Sequence, residues 1–372
     1  MRLKLESVFC LLILGLLLSA PVAAQKRSKY TNAKFRNKKI SNSVGRSGKF
    51  RPYEFLGVGL NAFNYYGDLA PLARAASTDV SFTRPGLGFT YGYRFHPQSA
   101  IRVNYNYGRI IGDDITSQDP GRYARNLSFR NNINELNVGF NFYFLPDLNS
   151  STFRNPFNIY LFVGAGFFYH EPKGQVPQYD YQTFGPTAAA EGAPELDQAG
   201  EWVRLRELNT EGQGSDLEGA PAAYKPFQWQ IPINLGAMFS IPKTPFNLHI
   251  EFGYRFIFTD YLDDVSNNYA GLDRFDNDLA RIMSDRSAEP FSGFGDVERD
   301  LPRVVSQSFN DGSRYFIAGD LGGGIDGSIR GNPDSNDVYF VTQVKLTYNI
   351  PPSGFDLFKK SSGKRKTSAK FR

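Results

Sequence analysis

The residue types best suited to chemistry are sparse in this 372-residue chain and lie far apart. His96, His170 and His249 are its three histidines, each on a separate segment. His170 stands beside Glu171, an imidazole and a carboxylate of the kind acid/base catalysis uses. No companion serine can be assigned to them by spacing. His249 lies two residues from Glu251, on the same side of an extended segment, which suits a hydrogen-bonded interior histidine better than a catalytic one. Asp260, Asp263 and Asp264, with Gly322, Gly323, Gly324 and Asp326 further on, supply oxygen ligands of a calcium-binding type, but the EF-hand spacing is absent. A glycine-rich stretch of that sort binds calcium only in series, so solvated turns are the expectation here. Cys10, the single cysteine, sits in an apolar N-terminal run, which leaves no disulfide or thiol chemistry for the remainder. No catalytic, cofactor or metal residue is therefore expected, and the chain reads as non-enzymatic.

The elements that position these residues are legible from Phe246 to Phe258, FNLHIEFGYRFIF. At the two-residue period of a strand, Phe246, Leu248, Ile250, Phe252, Tyr254, Phe256 and Phe258 share one face. Asn247, His249, Glu251, Gly253, Arg255 and Ile257 share the other. A continuous apolar, aromatic-rich face of this length fits a strand with lipid on one side and a polar lumen on the other. Comparable alternation recurs near 53–66, 86–95, 101–108, 135–144, 158–169, 231–240 and 338–348, with Pro232 expected near a strand start or at a bulge. The expected fold is all-β, an eight-stranded antiparallel transmembrane β-barrel with short periplasmic turns and long extracellular loops. Mean hydropathy of −0.39 agrees, because alternating strands average out. Arg94, Arg102, Glu135, Glu251, Arg255 and Lys345 fall on the polar faces. Since eight strands enclose no pore, these charges are expected to form a lumen network of ion pairs.

Flanking segments complete the organisation. Residues 1–24 have the features of a signal peptide: Arg2 and Lys4, an apolar run from Val8 to Leu18, and the small residues Val22, Ala23 and Ala24. A basic periplasmic arm is expected over 25–52, the barrel over 53–350, and a second basic arm over 351–372. An even strand number puts both arms on one side, and the acidic connections Glu171 to Glu218 and Asp260 to Asp337 on the other. The location expected is the outer membrane. Lys26, Arg27, Lys34, Arg36, Lys38, Lys39, Lys359, Lys360, Lys364, Arg365 and Lys366 become candidates for partner binding. An exported chain lacking a nucleic-acid reader motif points them at anionic lipid or an acidic protein.

Four strings also carry a family resemblance: YEFLGVGLNAFNYYGDLAP from Tyr53, RPGLGFTYGYRFHPQSAIRVNYNYGRIIGDD from Arg84, RNLSFRNNINELNVGFNFYF from Arg125 and FTDYLDDVSNNYA from Phe258. In order and spacing the chain resembles the PorG-like outer-membrane barrels of the type IX secretion and gliding machinery. That resemblance implies a non-enzymatic role, fixing a periplasmic ring of PorK-like lipoprotein and PorN-like subunits to the outer membrane, with no cofactor, nucleic acid or small-molecule substrate. Its recurrent strings, Gly67–Asp68–Leu69 and Tyr261–Leu262–Asp263–Asp264, fall at strand ends, where turn and rim packing is expected. A competing expectation is surface binding or adhesion through the acidic outer loops, with an outer-membrane enzyme third.

Overall fold

Side chains that alternate between oil and water leave a strand two different faces, and closing eight such strands on themselves satisfies every backbone hydrogen bond without an edge. The computed structural model describes residues 50–69, 83–147, 154–215, 220–295, 297–319, 323–334 and 336–350. Every candidate arm lysine and arginine named above lies outside the described residues, as do the signal segment and Gly322.

In chain order the strands are β1 (Tyr53–Tyr66), β2 (Arg84–His96), β3 (Ser99–Asp113), β4 (Ser128–Tyr143), β5 (Phe157–Tyr169), β6 (Pro172–Gln175), β7 (Trp202–Arg204), β8 (Phe227–Ser240), β9 (Phe246–Ile257), β10 (Val304–Ser308), β11 (Arg314–Ala318) and β12 (Val338–Ile350). Eight form the barrel, in the order β3-β2-β1-β12-β9-β8-β5-β4, and β3 pairs with β4 to close it. The first and last strands meet with Glu54 opposite Ile350 and Tyr66 opposite Val338. At one end the connections β2–β3 and β8–β9 are tight; at the other, long segments leave the barrel.

The outward face is the apolar one. Leu60, Phe140, Phe252 and Trp229 are among its most exposed side chains, at 69%, 60%, 61% and 68%. Such a wall is tolerable only in lipid. Phe252→Arg is expected to destabilise the barrel by about 2–4 kcal/mol, because a guanidinium near the midplane loses its hydration. The midpoint of urea unfolding, read as loss of the heat-modifiable gel band from lipid vesicles, measures it. A shift no larger than that of an exposed cap substitution such as Arg314→Gln would contradict a lipid-facing Phe252.

Three expectations need correction. Strands β3 and β4 run past the alternating stretches, to Asp113 and from Ser128, because above the lipid their outward positions Arg130, Asn132 and Asn134 no longer need be apolar. Pro232 lies inside β8, facing inward. The β5–β8 register skips between Val163↔Ile233 and Gly166↔Gln230, where the missing proline N–H would have donated. The long connections are not open loops. Strands β6, β7, β10 and β11 and the short helices Pro120–Arg125, Tyr181–Phe184, Leu205–Leu208 and Asp278–Ser284 build a cap on the mouth. Its core is continuous with the barrel's: Phe63, Phe168, Tyr339 and Val341 pack in one buried cluster with Leu69, Leu205, Leu262, Val265 and Met283.

Candidate functional site

The lumen is filled in three tiers of charge. At the turn end Arg94 pairs with Asp147 at 2.6 Å, lies 3.9 Å from the Tyr143 ring centroid, and also donates to the Tyr53 hydroxyl at 3.2 Å. In the middle, Glu251 accepts from Arg102 at 2.5 Å and 3.2 Å, from Asn234 at 2.9 Å, and from Lys345 and the Tyr160 hydroxyl. His249 is held between Tyr160 and Thr347, 2.9 Å from each hydroxyl. Nearer the cap, Glu135 takes a forked pair from Arg255 at 2.8 Å and 2.9 Å, with Asn106, Gln230 and Tyr339 completing its shell. Asn234 links the upper tiers, donating to Glu251 and accepting from Arg255 at 2.8 Å. All six charges assigned to polar faces are buried. Five of them share the linked upper tiers, while Arg94 is answered separately by Asp147, a residue the alternation pattern does not mark because it lies beyond the end of β4.

At the mouth, two sequence strings singled out by resemblance come together. Asp263 accepts the Leu69 N–H at 3.2 Å and the Val265 N–H at 2.9 Å, while Asp337 accepts the Leu262 N–H at 2.9 Å. Between them the Tyr65 hydroxyl lies 2.6 Å from Asp263 and 2.9 Å from Asp337. A Cβ on Gly67 would stand 1.8 Å from the Asp337 carboxylate and 2.0 Å from that hydroxyl, so any other residue would have to push the Tyr65–Asp337 contact aside. Asp264 accepts from Tyr224 at 2.6 Å and from Thr210. Asp263 and Asp264 are buried, not solvated, because 260–265 folds back over the mouth and brings them backbone and hydroxyl donors; Asp260 is buried beside them. Burial pushes Asp263 up to about 8 and Asp264 to about 7. Asp326 alone of the group is half exposed, paired with Arg274 at 2.8 Å. Among the described residues no cluster of His, Cys, Asp or Glu is arranged to hold a metal ion.

His170 does not pair with Glu171. Its ring stacks on Tyr224, with 5.9 Å between centroids, and burial holds its pKa down at about 4. Glu171 is occupied by Arg206 at 2.9 Å and Tyr169 at 2.8 Å. His96 stays exposed at the end of β2, where the chain enters the β2–β3 turn. Within the cap, Asp119 and Pro120 start the helix that ends at Asn126 (φ 59°), delivering Arg125 to Asp114 at 2.7 Å. A cavity of about 420 Å³ is lined by Asp68, Arg122, Arg125, Tyr269, Arg330 and Asn332. Arg125 and Arg330 are already committed, to Asp114 and to Glu211.

A closed antiparallel barrel with a lipid-facing wall and a polar, internally paired lumen has one home. The protein is an outer-membrane β-barrel. No helix among the described residues is long and apolar enough to cross a membrane, and the strands make the crossing. Residues 50–180 match the family described as a domain of unknown function, DUF6089. Among solved structures the chain is similar to Ail of Yersinia pestis (7% identity, 80% of this chain and 99% of that one, TM-score 0.30). Neisserial surface protein A is similar at 8% identity, over 81% of this chain and 97% of that one, with a TM-score of 0.30. OprG of Pseudomonas aeruginosa is similar at 9%, over 82% and 99%, with a TM-score of 0.32. No curated protein matches the sequence.

Proposed function

We propose that this barrel is a non-catalytic component of a type IX-like secretion apparatus, anchoring a periplasmic ring of PorK-like and PorN-like subunits to the outer membrane. The observation that carries this reading is the filled lumen. Tiers built on Asp147, Glu251 and Glu135 occupy the interior, and the cap core continues over the mouth. A barrel so filled has its wall and its two ends left as working surfaces. The order and spacing of the PorG-like strings supports the same reading, which is mechanical: the barrel is fixed in lipid and its turn end meets a soluble assembly.

The basic arms are the proposed contacts, carrying Lys26, Arg27, Lys34, Arg36, Lys38 and Lys39 at one terminus and Lys359, Lys360, Lys364, Arg365 and Lys366 at the other. Two tethers on one end strengthen attachment through effective concentration, and high salt should screen both. Deleting 26–49 together with 356–372 is expected to leave a heat-modifiable barrel in the outer membrane while lowering recovery of the ring by on the order of tenfold. Quantitative affinity purification at low and high salt checks it. Full ring recovery at both salts would transfer the contact to the turns at 96–99, 146–156 and 242–245. Failure of any periplasmic assembly to co-purify with the intact protein would leave surface binding through the cap as the function.

A further inference from the structure

The outer wall changes character at a definite height. On β4 the outward side chains are Phe142, Phe140, Val138 and Leu136, then Asn134, Asn132 and Arg130. The β3 register sets Tyr105 beside Leu136, Tyr107 beside Asn134 and Arg109 beside Asn132. Tyr105 and Tyr107, 40% and 41% exposed, mark the interface where aromatic girdles sit, and Arg109 is the next outward residue beyond them. Arg130 is its diagonal neighbour across the strand pair, and Lys173 of β6 stands directly opposite Arg130. Three cations therefore adjoin one another just above the lipid.

Like charges directly opposed on a sheet are unfavourable, and Arg204, opposite Lys173, is the cation that the neighbouring carboxylates answer. Among the described residues no carboxylate lies within ion-pair distance of Arg109, Arg130 or Lys173. The nearby Glu171 is held by Arg206 at 2.9 Å and Arg204 at 3.4 Å, and Glu207 by Arg204 at 2.8 Å. Arg109 spends only its Nε, on Asn132 at 2.8 Å. Arg130 lies 3.6 Å over the Trp202 ring, which fixes the guanidinium plane and leaves its N–H edges available. A planar guanidinium held in place, with a second guanidinium and an ammonium beside it, matches the oxygens of a phosphomonoester.

We infer that Arg109, Arg130 and Lys173 bind the phosphate groups of a phosphorylated glycolipid in the leaflet around the cap end. The long connections belong to the outer side of such barrels, so the ligand is the lipid of the outer leaflet. This inference rests on the barrel in its membrane and not on the secretion reading, so either can fail alone.

The test uses the full chain, stripped of lipid in detergent and placed in phosphatidylcholine nanodiscs doped with bisphosphorylated lipid A or its dephosphorylated form. Lipid retained per barrel is read by native mass spectrometry. The wild type is expected to hold the phosphorylated form on the order of 100-fold more tightly, and the triple variant Arg109→Gln, Arg130→Gln, Lys173→Gln to lose on the order of 100-fold, about fivefold per charge. Arg314→Gln, exposed on the cap hairpin, should retain it. Heat-modifiable mobility verifies folding; should the triple variant misfold, Lys173→Gln alone should bind about fivefold more weakly. Equal retention of the two lipids by the wild type, or wild-type retention by the folded variants, overturns the inference. Displacement of lipid A by excess inorganic phosphate would also overturn it, by making the strip a site for soluble anions.

Discussion

Replacing Glu251 with alanine is expected to cost the barrel about 3–5 kcal/mol, the largest loss of any lumen substitution. Glu251 is the sole anion of the middle tier and answers two cations, Arg102 and Lys345, all three 3% exposed or less. Without it Arg102 keeps only neutral surroundings, chiefly the Phe162 ring 4.1 Å away, and Lys345 loses its hydrogen-bond acceptor. A buried charge stripped of its partner costs far more than the intact pair contributes. Lys345→Met is the informative contrast. The tier holds two positive charges against one negative, so removing the ammonium leaves Arg102 and Glu251 balanced and their forked contact whole; a change of about 1 kcal/mol or less is expected. Urea titration of the heat-modifiable band in lipid vesicles measures both. Equal losses for the two variants would mean that Glu251 acts by filling space and not by charge.

The strands were legible because lipid imposes a rule on each outward residue within its thickness, and Phe246 to Ile257 obeys it without exception. The lumen face obeys a looser one. Its charges stand out as polar at the right parity, but its aromatics do not: Phe55, Tyr160 and Phe162 face inward yet add to apolar content as any lipid-facing ring would. What places them is glycine on the adjoining strand. A Cβ on Gly92 would sit 2.1 Å from the Phe55 ring, and one on Gly236 2.3 Å from the Tyr160 ring. Cross-strand complementarity of this kind needs the register, which one strand read alone does not supply. The cap was illegible for a related reason. Arg330 to Glu211 spans 119 positions and Asn126 to Arg286 spans 160, so the segments between them show no period and read as solvated loop. His170 illustrates the consequence: beside Glu171 in sequence it has the makings of an acid/base pair, and in three dimensions its ring belongs to the Tyr224 stack.

Alkaline pH should loosen the cap where Asp263 and Asp337 meet Tyr65. The Tyr65 hydroxyl has one hydrogen and two carboxylate oxygens within 2.9 Å, so both contacts are hydrogen bonds only if one carboxyl carries a proton and donates to the phenol oxygen. Burial is the main cause that raises both acids, Asp263 to about 8 and Asp337 well above the usual carboxylate range. Asp68 adds to this, Asp260 is itself pushed up to about 9, and Arg125 opposes it on Asp263. Asp264, just beyond, rises in the same direction despite Arg330. A carboxyl with a folded pKa above its unfolded value of roughly 4 holds its proton more tightly when folded, so its stabilisation is complete below about pH 4 and is lost as pH rises through about 8. Amide exchange at Leu69, Leu262 and Val265, whose N–H groups donate to these carboxylates, should accelerate steeply between about pH 7 and 9, beyond the intrinsic dependence of exchange. Asp337→Asn reproduces the protonated acid: its oxygen accepts the Leu262 N–H, its amide donates to Tyr65, and Tyr65 donates to Asp263. That variant should flatten the alkaline loss and be about 2 kcal/mol more stable than the wild type at about pH 9. Asp337→Ala, which leaves the Leu262 N–H without an acceptor, should loosen the cap at every pH by about 1–3 kcal/mol. If the asparagine variant is as loose as the alanine one at alkaline pH, the carboxyl is ionised in the folded protein and the mouth holds no shared proton.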